Sequence, residues 1–295
     1  MRIGIFSSFI ERDALTLVKA VQDSVNTGEV PNSEISFIFS NRDMGENETS
    51  DIILRELSSS SIPLITFSAA RFKPVFRQAA RGREKVGHPT LIKEWRSEYG
   101  EEVMKRLPQT DIDLLLGDMW IWGDNMARDR IGVNLHPALP NGPKGEWYNV
   151  NWKLIEEKKA ETGVMMHRVT SELDRGPAVT YCRFPIVGQG FDKLWEGLPQ
   201  DKERFDQMIA QGLAGKERGD HPLFRKIREE GFRREIPLII QTAKAFAEGR
   251  VHAEGDLIVD GNWQILQEGY DLTPQIEQMI KPNLEGQTAR KEVRS

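Results

Sequence analysis

Asn134 and His136 stand two residues apart in the stretch Val133-Asn134-Leu135-His136-Pro137-Ala138-Leu139-Pro140, and they carry the clearest chemical signal in the chain. On a strand, residues i and i+2 share a face, so the carboxamide and the imidazole project together while Val133 and Leu135 turn into packing. A carboxamide N–H and an imidazole N–H stabilise negative charge growing on a carbonyl oxygen, and the imidazole also moves a proton. The pair suits acyl or formyl transfer. Asp174, in Glu172-Leu173-Asp174-Arg175-Gly176-Pro177, is the natural third member. A carboxylate near His136 would raise the imidazole pKa, orient the ring and help take a proton from an attacking amine. Attack by the amine itself removes the need for a serine or cysteine nucleophile. A structural reading stands beside the chemical one: a strand-end hydrogen bond for Asn134 and His136, and a turn for Asp174. His167, in a strand-like run, fits a satisfied core histidine or a site residue. Met119, Trp120 and Trp122 fit core or pocket wall.

The elements that would position these residues alternate along the first 135 positions. Arg2-Ile3-Gly4-Ile5-Phe6 is an apolar strand, and Ala14, Val18, Val21 and Val25 then fall on one helical face. Residues 34–43 predict a second strand, 49–60 a helix opened by Thr49 and Ser50, and 62–69 a third strand. Residues 70–110 are polar and predict a solvated helical excursion. A buried strand at 111–116 and the Asn134 strand follow. Such alternation predicts an α/β fold with a mostly parallel twisted sheet and helices on both faces, whose ligands sit beyond the carboxyl ends of the strands. Further on, residues 147–161 predict a helix, 162–187 two strands around the Asp174 loop, and 189–235 charged helices. An Asp-Gly pair at 260–261 predicts a C-terminal hairpin between 251–260 and 262–268. We expect one domain over 1–282, with insertions near 75–105 and 188–225, and a polar tail at 283–295.

Composition narrows the function classes. A net charge of −5 and a pI near 5.7, without a basic block, argue against nucleic acid as partner. A small anionic substrate held by local cations stays compatible. Cys182 is the single cysteine, so neither an intramolecular disulfide nor a multi-cysteine zinc site can form, and a cytoplasmic location is expected. No run approaches the roughly 18 apolar residues of a membrane helix. Residues 7–13, Ser-Ser-Phe-Ile-Glu-Arg-Asp, sit where nucleotide-binding folds keep a phosphate loop yet contain no glycine, which counts against a dinucleotide site.

The segment Asn134-Leu-His136-Pro-Ala-Leu139-Pro140, followed by His167-Arg-Val169-Thr170-Ser-Glu-Leu-Asp174-Arg-Gly176-Pro177, resembles the signature of the folate-dependent formyltransferase family. The pattern is Asn-x-His-Pro-x-Leu, then His-x-Val-x-x-x-x-Asp-x-Gly-Pro. Both halves occur in order, and similarity extends to residues 37–43, 236–251 and 260–270. The resemblance implies a Rossmann-like fold with a C-terminal helix and hairpin, and transfer of a formyl group from 10-formyltetrahydrofolate to a primary amine. Among family members, those acting on glycinamide ribonucleotide in purine synthesis are most similar, so the expected acceptor is a phosphorylated small molecule. Carried over by position, the family implies that Asn134 binds the formyl oxygen. His136 would stabilise the tetrahedral intermediate and shuttle protons, and Asp174 would position His136 and a water. Met119, Trp120, Ile121 and Trp122 fall on the pterin-pocket loop, and His167 and Thr170 line the same cleft. Ser7, Ser8 and Arg12 are the candidates for holding a phosphate by side chains. No metal is implied, and a homo-oligomer is compatible with the pattern. Glycine is absent from residues 7–13, where the members acting on glycinamide ribonucleotide have a glycine-rich loop. Trp120 stands where the family usually has a basic residue. Rival readings are formylation of an amino sugar nucleotide, hydrolysis of formyl-folate, and a noncatalytic folate or nucleotide sensor.

Overall fold

In the computed structural model, residues 1–117, 121–170, 175–188, 190–215 and 221–281 are described. β1 (Arg2–Ser7) feeds α1 (Asp13–Asn26), which buries Ala14, Leu17, Val18 and Val21. β2 (Glu34–Ser40) leads into α2 (Glu48–Ser58). That helix starts before Thr49: Asn47 is extended, and its side chain accepts the Ser50 N–H at 3.0 Å, the usual service of an N-cap. β3 (Leu64–Thr66) is short.

The polar excursion folds differently from expectation. It forms α3 (Pro74–Lys85) and α4 (Thr90–Met104), and α4 buries Ile92, Trp95, Tyr99 and Val103 completely. Their spacing makes a single apolar stripe, too narrow to register in so charged a segment. Trp95 and Tyr99 stack at 5.1 Å, and the Trp95 indole N–H donates to the Phe72 carbonyl at 3.1 Å. The segment therefore supplies a second core.

β4 (Ile112–Leu115), α5 (Asp124–Asp129) and β5 (Gly132–His136) come next, then α6 (Trp147–Glu156) and the adjoining β6 (Glu161–Arg168) and β7 (Ala178–Pro185). α7 (Asp192–Glu196), α8 (Lys202–Leu213) and the long α9 (Pro222–Ala247) follow. Pro237 lies inside α9 and removes one main-chain hydrogen bond from its middle. The hairpin β8 (Val251–Glu254) and β9 (Leu257–Asp260), β10 (Tyr270–Asp271) and α10 (Thr273–Ile280) close the described chain. The hairpin turns at Gly255 and Asp256, with Gly255 at φ +60°, so the run taken as one strand is a complete hairpin. The Asp260-Gly261 turn carries only the isolated Val259–Ile265 bridge. Both dipeptides have turn chemistry, and the earlier one closes the longer ladder.

Eight strands form one sheet in the order β10-β7-β6-β5-β4-β1-β2-β3. Pairing is parallel except at β5–β6 and β6–β7, so the sheet is mixed and mostly parallel. Alternation divides the core: Ile3, Ile5, Leu114 and Val133 pack with α1, α2, α9 and α10, whereas Phe6, Phe39 and Leu115 pack with Trp95, Tyr99 and Trp122. A third cluster joins Trp152, Phe184 and Phe224 around α6, α8 and α9.

A buried ion pair ties β4 to the entry of β5. Arg130 donates through Nε to Asp113 Oδ2 at 2.5 Å and through Nη2 to Oδ1 at 2.9 Å, with Thr110 bridging both partners at 2.7 Å. Their side chains are 4% and 0% exposed. Gly4 makes the room, since a Cβ there would lie 2.2 Å from Asp113 Oδ1. No helix among the described residues is long and apolar enough to cross a membrane.

Candidate active site

β5 ends at the carboxyl edge of the sheet and brings Asn134 and His136 to one cavity. Leu115 of β4 pairs with Asn134 on one side, and His167 of β6 is directly opposite it on the other. A register shift between Met166 and His167 interrupts the β6–β7 ladder, an irregularity of the kind that re-aims a side chain. The Asn134 and His167 side chains meet at 3.2 Å, Nδ2 to Nε2. His167 Nδ1 lies 3.1 Å from the Arg168 carbonyl, which can only accept, so Nδ1 carries the proton and Nε2 receives the Asn134 N–H. This order fixes the carboxamide. Its second N–H is left for a ligand, since the described residues give it no partner.

His136 follows the same logic. Its Nε2 lies 3.0 Å from the Pro143 carbonyl and must donate to it, so Nδ1 is where the ring gains or loses a proton. The two imidazoles are 6.1 Å apart at 87°, and each residue is 2% exposed. Desolvation is therefore strong around a polar pair whose remaining valences are aimed by main-chain carbonyls.

The Arg168 carbonyl is itself pinned. A Cβ at Gly176 would lie 1.7 Å from that oxygen, so the glycine of the Asp-Arg-Gly-Pro segment is required by a close backbone approach. The Arg168 guanidinium donates to the carbonyls of Val169 at 2.9 Å and Ala127 at 2.6 Å. Burial holds its pKa below the ordinary arginine value.

The cavity measures about 530 Å³, within the range of small-molecule sites. Ser7, Ser8, Trp122, Asn134, His136, His167 and Thr170 line it. Ile121 does not: it is 0% exposed in the core beside Trp95, because the loop turns its side chain inward before Trp122. Arg12 is exposed at the N-cap of α1 and lies off the lining. Met119, Trp120 and Asp174 lie outside the described residues. Ser7 Oγ accepts the Phe9 N–H at 3.2 Å, a turn-stabilising contact. Among the described residues, no group of three or more His, Cys, Asp or Glu could hold a metal ion.

Sequence reasoning missed the far wall. Arg96 of α4, Trp147 and Tyr148 of α6, and Arg228, Phe232 and Glu235 of α9 all line the cavity. The α9 residues recur at i, i+4 and i+7, one helix face, but mixed charge and aromaticity conceal the pattern. Burial raises the Glu235 carboxyl pKa; Arg228, which donates to Glu235 Oε1, opposes that, and Asp13 and Glu11 add to it. Burial and Arg81 lower the Arg96 pKa against the pull of Glu84.

No protein-family model matches the chain, and no curated protein matches it by sequence. Solved structures do match in shape. The phosphoribosylglycinamide formyltransferase of Coxiella burnetii superposes with a TM-score of 0.58 at 17% identity, covering 92% of this chain and 98% of that one. A formyltetrahydrofolate deformylase of Burkholderia mallei gives a TM-score of 0.50 at 16% identity, covering 88% and 70%. The eight-stranded mixed sheet, the edge that carries Asn134 and His136, and these superpositions together identify the architecture: the chain has the fold of the folate-dependent formyltransferases.

Proposed function

We propose that the protein transfers a formyl group from 10-formyltetrahydrofolate to a primary amine, working in the cytoplasm. The carrying observation is the arrangement at the sheet edge: Asn134 and His136 face one cavity, the second Asn134 N–H has no partner among the described residues, and the Pro143 carbonyl fixes the His136 ring through Nε2. The folate fits the residues present. Trp122 lines the cavity, and its ring offers an apolar aromatic surface against which a bound heterocycle would pack. Bound there, the folate would supply the activated formyl group. Asn134 Nδ2–H would donate to the formyl oxygen as the amine nitrogen attacks, stabilising the growing negative charge. His136 Nδ1 would take the proton released by the amine and return it to the departing nitrogen. Asp174, implied by the family motif, is the carboxylate we assign to support the imidazolium.

Glycinamide ribonucleotide, with purine synthesis as its setting, is the acceptor that the family resemblance puts first. Of the residues expected at its phosphate, Ser7 and Ser8 line the cavity. The test is release of tetrahydrofolate by purified protein given 10-formyltetrahydrofolate and a panel of amines. Release well above a His136→Ala control supports transfer. Formate release without amine would mark hydrolysis instead, and no release of either kind sinks the reading.

A further inference from the structure

The end of the cavity between the β1–α1 turn and α9 carries the wrong charge for a phosphate. Glu11 and Asp13 enter from the turn and Glu235 from α9, while Arg228 of the same helix is engaged by Glu235. Arg228 also lies over the rings of Trp147 at 5.2 Å and Phe232 at 5.1 Å, so the walls already hold a cation between aromatic faces and a carboxylate. Glu11, Asp13 and Glu235 all line this one cavity. Ser8 supplies an independent sign of a ligand. It is 4% exposed, lines the cavity, and its hydroxyl has no hydrogen-bond partner among the described residues.

We infer that this end of the cavity receives a primary amine bearing a second positive charge and no phosphate. The inference rests on the formyl-transfer reading above and specifies its acceptor. One nitrogen reaches Asn134 and His136, and the other is held by the carboxylates of Glu11, Asp13 and Glu235, with Ser8 Oγ accepting one of its protons. A phosphate in the same place would meet the like charge of Glu11, Asp13 and Glu235, an arrangement that disfavours anionic partners.

The test separates binding from chemistry. Calorimetry is run on the full chain with 5-formyltetrahydrofolate present and three probes: 1,4-diaminobutane, 4-aminobutan-1-ol and glycinamide ribonucleotide. We expect the diamine to bind at least about tenfold more tightly than either of the others. In a Glu11→Gln, Asp13→Asn double variant that preference should collapse to about the level of the aminoalcohol. Both substitutions sit on exposed positions, so the fold is retained. Equal or tighter binding of the ribonucleotide, no binding of the diamine, or an unchanged preference in the variant overturns the inference. Tetrahydrofolate release is followed separately. Its absence with every amine, alongside intact diamine preference, would defeat formyl transfer while leaving the charge preference standing.

Discussion

The two ends of the cavity are held in different ways. At the sheet edge, Asn134, His136 and His167 sit on adjoining strands, and main-chain carbonyls of Arg168 and Pro143 settle where each proton lies. At the α9 end, side chains from the β1–α1 turn, α6 and α9 meet across long sequence separations, and charged groups hold one another. The edge is held by backbone carbonyls, which a side-chain substitution cannot exchange. The α9 end is built from replaceable side chains, and on the proposed reading that is where substrate choice would vary.

The sharpest way to break this contrast is to remove a group from the edge. His136→Ala should cut turnover about 10²- to 10⁴-fold in the tetrahydrofolate-release assay while circular dichroism stays native. A comparable loss from an α9-wall substitution such as Phe232→Ala would abolish the distinction. Next comes the support behind the edge. Asp113→Ala leaves Arg130 buried without its partner and should cost about 3–5 kcal/mol in urea unfolding. His167→Ala frees the Asn134 amide to rotate and should lower kcat about 10- to 100-fold, with the KM for the amine little changed. A matching rise in KM would mean that His167 belongs to substrate binding instead.

The α9 end predicts a milder, pH-dependent effect. Burial would raise the Glu230 carboxyl pKa, but hydrogen bonds from Lys226 and Arg234 outweigh it and hold the value at about 2, against 4.5 for the free group. A depressed carboxylate stabilises the fold above its unfolded pKa, and that contribution disappears as pH falls from about 4.5 to about 2. Arg234 also donates to Glu277 at 2.7 Å, so α10 should loosen from α9 over this window. Glu230→Gln should flatten the acid limb of the stability curve. The smallest effect concerns Cys182. Burial pushes its thiol up to about 12, and a native protein should resist thiol labelling that goes to completion after unfolding.

The β–α alternation and the Asn134 strand were legible because both depend on local periodicity. Asn134 and His136 could be placed on one face from spacing alone, and the structure brings them to one cavity. The partner of Asn134 could not be read, since pairing with His167 depends on antiparallel register and a local shift at Met166. Ile121 and Trp122 show a second limit. They are neighbours in an aromatic loop, and which of them faces the cavity is decided by the core that Trp95 and Tyr99 complete. The α3–α4 segment was misjudged for a related reason: four buried side chains on one stripe outweigh the many charges around them only after the helix docks. Glu235 and Arg228 left no local signal, because their role comes from meeting a turn more than two hundred positions earlier.

Pro237 gives α9 a mechanical asymmetry. The arm beyond it, from Leu238 to Ala245, is embedded in the main core, whereas the arm before it presents Arg228, Phe232 and Glu235 to the cavity. With one rung missing between them, each arm is held by its own core, the second by the main sheet and the first by Leu223, Phe224 and Ile227 in the cluster around Trp152. The cavity wall and the sheet are thus anchored to separate cores, so a change in the packing around Trp152 would reshape the wall while leaving the tip of β5 in place.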